Sequence, residues 1–141
     1  MNEDKKIVLV TGAATGIGES IAKHFLELGF CVHVCDQNAA SLTQFLESYP
    51  KATGSICDVS SSNEVKKTIN DIEVHYGKLD VLINNAGISG GTALTENISL
   101  EDWNDTINVN LNGMFYFAKF AIPLLKKNKR ASVINLSLIH I

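Results

Sequence analysis

The sequence predicts an α/β fold with a doubly wound parallel sheet, and two observations support this. Short apolar runs with Val, Ile or Leu on consecutive positions are typical of strands covered on both faces. Segments with apolar residues at helical spacing separate these runs, which favours parallel strands joined by right-handed crossovers. With 141 residues, 45% of them hydrophobic and 19% charged, the chain is predicted to form one domain with a buried core.

The first half of the chain predicts three strands and two helices. The strands cover residues 7–11, 31–35 and 54–57. A stripe of apolar residues over 17–28 predicts the first helix, which Gly29 ends as a C-terminal stop. A shorter stripe over 42–49 predicts the second helix, which Pro50 ends.

The second half predicts two more strands, at residues 81–84 and 132–136. Ser61 and Glu64 have capping-box spacing at the start of a third helix that closes at Gly77, and Ser99 has similar spacing before Trp103. A long helix is predicted over about 110–127, where Pro123 predicts a kink or a local loss of hydrogen bonding. The basic cluster over 126–130 is interpreted as the end of that helix and a solvated turn.

Composition and charge exclude several classes of protein. The net charge of −3, from 12 basic and 15 acidic residues, predicts neither a nucleic-acid partner nor a membrane surface. No apolar stretch is long enough to span a bilayer, and residues 1–6 show no secretory signal, so a cytoplasmic location is expected. Cys31 and Cys35 lie about 13 Å apart along one strand, too far for a disulfide, and the three cysteines are expected to be reduced thiols without a metal.

A glycine-rich turn, Thr11-Gly12-Ala13-Ala14-Thr15-Gly16-Ile17-Gly18, joins the first strand to the first helix. Glycines there allow a tight turn and bring backbone N–H groups close to a pyrophosphate. No Lys follows the glycines, which disfavours a P-loop nucleotidase. On composition alone, a purely structural turn stays an alternative.

Asp36 ends the second strand, 18 residues after Gly18. A carboxylate at this place can accept hydrogen bonds from both ribose hydroxyls of adenosine, and it repels a 2′-phosphate. Thr15 and Gln37 supply no cation for such a phosphate, so NAD is favoured over NADP. The alternative is an Asp that caps the next helix.

Four further segments occur at characteristic spacing: Cys57-Asp58-Val59, Asn84-Asn85-Ala86-Gly87-Ile88, Trp103, and Val109-Asn110-Leu111-Asn112-Gly113. Together with the glycine turn, they resemble the short-chain dehydrogenase/reductase family over about residues 5–135. The resemblance implies a Rossmann fold with strand order 3-2-1-4-5. It also implies hydride transfer between a nicotinamide cofactor and a small alcohol or ketone.

The resemblance also implies roles for individual residues. Asp58 and Val59 would contact the adenine, and Asn110 would be the catalytic asparagine whose backbone carbonyl holds a water. Taken alone, Asn110 would be read as a helix N-cap and Asn84-Asn85 as a turn or cap. The residues implied to bind the cofactor are Gly12, Thr15, Gly16, Ile17, Gly18, Asp36, Asp58, Val59, Asn85, Ala86 and Gly87.

Part of the family's catalytic pattern is missing from these residues. The family uses a Tyr as acid/base and a Lys four residues later, because a phenol with a pKa near 10 needs a nearby cation to ionise near neutrality. None of Tyr49, Tyr76 and Tyr116 has a Lys at that spacing. Leu138 stands where the family's substrate-orienting Ser is expected. Ser137 is one residue early and would point to the opposite face, so no catalytic role is assigned to it.

Residues 1–135 are therefore expected to form an NAD(P)-binding domain that is incomplete on its C-terminal side. Residues 136–141 resemble a translated transposase-adapter sequence and are predicted to be a non-native tail. The chain alone is expected to be inactive, with an exposed fifth strand that favours aggregation. The full-length protein is expected to be a homo-oligomer.

Three other hypotheses stay open. A non-catalytic NAD-binding module would keep the cofactor residues without turnover. In a methyltransferase-type domain, Asp36 would hold the ribose of S-adenosylmethionine, but the segment 84–87 and Asn110 argue against it. A structural interaction domain would bind no nucleotide.

Overall fold

The computed structural model describes residues 5–138 and confirms the predicted parallel sheet. The strands are β1 Ile7–Thr11, β2 Cys31–Asp36, β3 Thr53–Ile56, β4 Val81–Asn84 and β5 Ser132–Asn135. The helices are α1 Gly16–Glu27, α2 Ala39–Ser48, α3 Ser62–Tyr76, α4 Leu100–Ile107 and α5 Gly113–Leu125. A short 3₁₀ turn, Thr95–Asn97, precedes α4, and a π-helical segment, Asn108–Asn112, joins α4 to α5.

The sheet has the order β3-β2-β1-β4-β5, and all of its strand pairs are parallel. β1 lies at the centre, and its side chains alternate between two hydrophobic layers. Ile7 and Leu9 face the layer of α3 and α5, while Val8 and Val10 face the layer of α1 and α2. All four are at most 4% exposed, which explains why β1 is apolar on consecutive positions.

The two edge strands differ from the expectation that every strand is covered on both faces. In β3, Ile56 is 59% exposed, because this strand has a neighbour on one side only. β5 is exposed along its length, and Val133 and Ile134 are 44% and 46% exposed. The predicted exposure of the fifth strand is confirmed.

The helix predicted to begin near Asn110 does not begin there. The chain stays helical from α4 through the π-helical segment into α5, so Asn110 lies within a continuous helical stretch. The N-cap interpretation of Asn110 is therefore wrong. A π-helical turn within a helix widens the spacing of its backbone bonds and is frequent at functional sites.

The predicted helix caps agree with the structure, with one difference. Ser61 accepts a hydrogen bond from the Glu64 amide, and Gly77 ends α3 with a φ of 73°. The carboxylate of Glu64 does not complete the capping box. It accepts a hydrogen bond from the Asp58 amide at 2.8 Å and so anchors the segment that follows β3.

Among residues 5–138, none of the helices combines the length and apolar character that crossing a bilayer requires.

Candidate functional site

A cavity of about 950 Å³ opens at the carboxyl ends of β1, β2 and β4. This edge is where doubly wound sheets place their ligands, and the volume is within the usual range for small-molecule and cofactor sites. The structure brings together most of the predicted site residues in the lining of this cavity. They are Gly12, Thr15, Ile17, Gly18, Asp36, Val59, Asn85, Ala86, Gly87 and Asn110.

The glycine turn has a shape that only glycine accepts at two positions. Gly12 adopts a φ of 60°, and a Cβ atom there would lie 2.8 Å from the Cα of Ala86. At Gly18, a Cβ atom would lie 2.6 Å from the side-chain Nδ2 of Asn85 and would also collide with the carbonyl oxygen of Gly12. The backbone therefore passes close to its neighbours, and the turn leaves no room for a side chain at these two positions.

Thr11 and Asn85 hold this turn against the end of β4. The Thr11 hydroxyl oxygen accepts hydrogen bonds from the amides of Asn85 and Ala86, each at 3.0 Å. The Asn85 side chain donates to the carbonyl oxygens of Thr11 and Gly12, also at 3.0 Å. Asn85 therefore shapes the turn as well as lining the cavity. The role of Thr11 was missed, although its place at the last position of β1 is a visible signal.

Asp36 lines the cavity, and its carboxylate also binds the backbone just before α2. One carboxylate oxygen accepts a hydrogen bond from the Ala14 amide at 3.1 Å, which fixes the side chain against the glycine turn. The other accepts from the Asn38 amide at 3.0 Å, just before α2. Each carboxylate oxygen keeps acceptor capacity for a ligand hydroxyl. Among the described residues that line the cavity there is no Lys or Arg.

Two predicted residues lie outside the lining of the cavity. Asp58 turns away, because its Oδ1 accepts hydrogen bonds from the Ser60 amide at 2.9 Å and the Ser60 hydroxyl at 2.7 Å. Its neighbours Cys57 and Val59 line the cavity instead. Gly16 has a φ of 63° and shapes the entry to α1 from beyond the cavity wall. The adenine contact predicted for Asp58 stays a prediction, and the Asp58 carboxylate is bonded to Ser60 instead of lining the cavity.

Asn110 is held by the loop that follows β4. Its Oδ1 accepts a hydrogen bond from the Ile88 amide at 2.8 Å, and its Nδ2 donates to the Ile88 carbonyl at 2.7 Å. A Cβ atom on Gly87 would approach the Asn110 Oδ1 to 3.3 Å. The side chain thus positions the 85–88 segment, and its backbone carbonyl is the group left for the role implied by the family resemblance.

The far end of the cavity is apolar. Leu138 lies next to Gly87, since a Cβ on that glycine would be 3.5 Å from a Leu138 methyl group. Ser137 also lines the cavity, and the Leu136 amide still bonds to the Asn84 carbonyl at 3.0 Å. The remainder of the predicted non-native tail, residues 139–141, lies outside the described residues. None of the three tyrosines lines this cavity.

Cys57 is a lining residue that was missed as a site residue. A hydrogen bond from the Cys35 thiol lowers the pKa of Cys57, against burial, which raises it. The sequence hint was its place directly after the third predicted strand. The placement of Cys57 beside Cys35 depends on how β2 and β3 pair, and no pattern of neighbouring residues in the sequence indicates it.

Comparison with known proteins places this geometry in context. The short chain dehydrogenase family model matches residues 6–140. The 3-oxoacyl-(acyl-carrier-protein) reductase FabG of Thermotoga maritima is 35% identical, over 97% of this chain and 57% of that protein. The chain thus spans little more than half the length of this relative.

Two known structures share the fold. A short-chain dehydrogenase from Streptomyces avermitilis superimposes with a TM-score of 0.88 and 28% identity, over 97% of this chain and 50% of that one. The protein ElxO, with NADP bound, superimposes with a TM-score of 0.87 and 31% identity, over 94% of this chain and 55% of that one. The chain therefore matches about half of each related structure.

Proposed function

The chain belongs to the short-chain dehydrogenase family, and from this premise we propose that it forms the NAD-binding half of an oxidoreductase. In the whole protein, hydride would pass between the nicotinamide and a small alcohol or carbonyl substrate. The proposal rests on one observation above all. The Asp36 carboxylate is bonded to the Ala14 amide in a cavity lined by the glycine turn.

The residues of the cavity fit an adenine dinucleotide. The positive φ of Gly12 and Gly16 and the close packing at Gly12 and Gly18 give a turn without side chains at these positions, on the wall of the cavity or next to it. Amides of this turn, at the start of α1, would hold the pyrophosphate. Asp36 would accept hydrogen bonds from the adenosine ribose, Val59 would face the adenine, and Ala86 and Gly87 would leave room for the second ribose. When bound, the dinucleotide supplies the hydride-transfer chemistry.

Charge supports NAD rather than NADP as the preferred cofactor. A 2′-phosphate would lie beside the Asp36 carboxylate, and no Lys or Arg among the described lining residues would compensate. ElxO, a structural relative, has NADP bound, so the fold also accommodates a cofactor with a 2′-phosphate. The acid at position 36 is thus the feature that supports the preference here.

Catalysis in the whole protein would need groups that these residues do not supply. No Tyr-x3-Lys pair is present in the 141 residues, and Leu138 offers no hydroxyl at the place of the orienting serine. Asn110 would contribute its backbone carbonyl and would position the 85–88 segment through its side chain. We therefore expect this chain to bind the cofactor without turning over a substrate.

Calorimetric titration of the chain with NADH and NADPH tests the binding proposal. NADH is expected to bind more tightly than NADPH. Asp36→Ala should weaken NADH binding by about tenfold or more, because it removes a charge-assisted hydrogen bond worth roughly 1.5–3 kcal/mol. It should also reduce the preference over NADPH, since the repelling charge is gone.

The matched control is Asp58→Ala, which removes a carboxylate outside the cavity. This variant should keep the NADH affinity of the parent chain, provided that its melting temperature shows a folded protein. An unchanged affinity in Asp36→Ala, or an equal loss in both variants, would contradict the role of Asp36.

A second candidate function, a non-catalytic NAD-binding module, is favoured by the absence of a Tyr-x3-Lys pair. Both candidates predict that this chain binds NAD without turnover. They differ in whether the whole protein converts a substrate. NADH absorbance with a panel of small alcohols and ketones separates them, because only an oxidoreductase consumes or forms NADH.

We also propose self-association and a reducing location for the whole protein. The outer face of α4 and α5 carries large apolar side chains, including Trp103 at 57% and Phe115 at 60% exposure. Exposed patches of this kind favour association between copies of a chain. The three free thiols are typical of a reducing compartment such as the cytoplasm.

A further inference from the structure

Cys35 and Cys57 form a pair of buried thiols beneath the cofactor cavity. β2 and β3 are parallel neighbours in which Cys35 is level with Ser55, so Cys57, two residues further, points to the same face. Both cysteines are at most 1% exposed and belong to one hydrophobic cluster. The two thiols therefore lie on the same face of adjacent strands, within one layer of the core.

The pair is tied to the cavity through both its side chains and its backbone. Cys57 is part of the cavity lining. Its amide donates to the Asp36 carbonyl at 3.0 Å, and the Cys35 carbonyl accepts from the Ala13 amide at 3.3 Å. Any change in the distance between the two sulfurs therefore acts on the backbone that carries Asp36 and the glycine turn.

The two thiols are chemically unequal. The hydrogen bond from Cys35, supported by one from Thr68, lowers the pKa of Cys57. The same hydrogen bond and complete burial raise the pKa of Cys35 well above its ordinary value. Cys57 lines the cavity and Cys35 does not, so Cys57 is the sulfur that a peroxide reaches first.

We propose that Cys35 and Cys57 form a reversible disulfide in the presence of hydrogen peroxide, and that this bond weakens the binding of adenine dinucleotides. The first part depends only on the thiol pair, and the second rests on the function proposed above. The Cys57 thiolate attacks one peroxide oxygen, which gives a sulfenic acid and hydroxide. The Cys35 sulfur then displaces the sulfenic hydroxyl group, and its proton leaves with that group as water. Two thiols are oxidised and the peroxide is reduced to two molecules of water.

The expected loss of affinity follows from the geometry of a disulfide. Residues offset by two positions on paired strands lie about 7–8 Å apart, and the Cα atoms of a disulfide lie about 4.4–6.8 Å apart. Forming the bond therefore draws the ends of β2 and β3 together. Asp36 and Ala13 are bonded to those two ends and would shift with them. A shift that breaks one charge-assisted hydrogen bond to the ribose weakens binding by about tenfold.

Cys31 provides the reference thiol. It lies at the opposite end of β2, level with Ile7, and it is partly exposed. Trypsin leaves Cys31 and Cys35 together in the peptide 24–51 and Cys57 in the peptide 52–66. The Cys31→Ser variant therefore gives each of these two peptides a single cysteine, and a cross-link between them has one interpretation.

The experiment treats folded Cys31→Ser with hydrogen peroxide, blocks the remaining thiols by alkylation and maps the tryptic peptides by mass spectrometry. We expect peptides 24–51 and 52–66 to be linked with the loss of two hydrogen atoms, and dithiothreitol to separate them. In the additional variant Cys35→Ser, dimedone should trap Cys57 as a sulfenic acid. A linkage that forms only in denaturant, or over-oxidation of Cys57 without a linkage, would overturn the proposal.

Calorimetry with NADH on the oxidised and reduced forms of Cys31→Ser tests the effect on binding. The oxidised form should bind about tenfold more weakly, and the additional variant Cys57→Ser should be insensitive to peroxide. Equal affinity of the linked and reduced forms for NADH would overturn the proposed effect of the disulfide on binding. If the reduced chain binds no NADH at all, the proposed function fails, and the peptide map still decides whether the disulfide forms.

Discussion

At the scale of single residues, a buried polar chain around His33 shows how one carboxylate sets the direction of several hydrogen bonds. The Ser55 hydroxyl donates to Asp71 at 3.0 Å, so its oxygen must accept from the His33 Nε2–H, also at 3.0 Å. The His33 Nδ1 then accepts from Thr53 at 2.8 Å, and Thr53 accepts from the Tyr76 hydroxyl. His33 is thereby held neutral with its proton on Nε2.

This arrangement predicts a loss of stability on mild acidification. Burial lowers the pKa of His33 to about 4 from an ordinary value of 6.5, so the unfolded state binds this proton first. The contribution of neutral His33 to the free energy of unfolding is fully present above pH 6.5 and decreases as the pH falls toward 4. Over that interval it amounts to about 3 kcal/mol at most.

Urea unfolding at pH 7 and pH 4.5 measures the effect. His33→Gln should reduce the difference between the two midpoints, whereas His24→Gln, at an exposed position on α1, should leave it unchanged. Parallel pH dependence in all three proteins would contradict the assignment to His33.

At the scale of elements, Lys127 joins the end of α3 to the turn after α5. Its Nζ lies 3.0 Å from both the Glu73 carboxylate and the Gly77 carbonyl, at the C-terminal end of α3. The neighbouring Asn128 side chain donates to the Leu79 carbonyl. The basic cluster is therefore more than a solvated turn, because one of its cations binds the end of another helix, where a positive charge is favourable.

Lys127→Met tests this contact while keeping most of the apolar stem. The free energy of unfolding should fall by about 0.5–1 kcal/mol at low salt, and by less in 1 M salt, because the contact is half exposed and screened. Lys126→Met, one residue earlier and exposed, should have no comparable effect. Equal losses in the two variants would show that Lys127 has no specific partner.

At the scale of the whole molecule, the sheet is well covered at its centre and open on the β5 side. An apolar groove runs between α1 and β5 and is lined by Ile21, Phe25, Ile134 and Leu136. Beyond it, β5 offers unpaired backbone groups and half-exposed aliphatic side chains. An apolar edge of this kind favours pairing with another chain.

Ile134→Lys should therefore reduce self-association. Light scattering at increasing protein concentration should show a smaller mean mass than for the parent chain, and binding of a hydrophobic dye should decrease. Val74→Lys places the same charge on α3 at a position that is 76% exposed and far from β5, and it should leave both readouts unchanged. Identical scattering from the parent chain and Ile134→Lys would argue against association through β5.

Much of this molecule follows from local patterns. The five strands agree with the predicted ranges to within one residue, because consecutive apolar residues have one stable place, between two helical layers. Ser61, Ser99 and Gly77 cap their helices as predicted, since caps depend on neighbouring residues. The glycine turn and Asp36 meet in the cavity for the same reason, as both follow directly from strand ends.

The differences from these predictions concern groups whose partners lie far away in the sequence or whose local turn had a better alternative. Asp58 turns to Ser60 because a bond two residues away is available at no cost in chain entropy. Asn110 lies in a π-helical turn, and its side chain bonds to the backbone of Ile88. The turn at Asp58 is a local pattern of Asp and Ser, whereas no pattern within a short window indicates the contact between Asn110 and Ile88.

The sequence by itself thus determined the parallel sheet, its helical layers and the acidic residue beside a glycine turn, because hydrophobic periodicity and turn chemistry act over a few residues. Only the tertiary structure decided which thiols meet, which carboxylate faces the cavity and which lysine binds a helix end. Those contacts depend on strand register and helix packing, which bring together atoms that are distant along the chain.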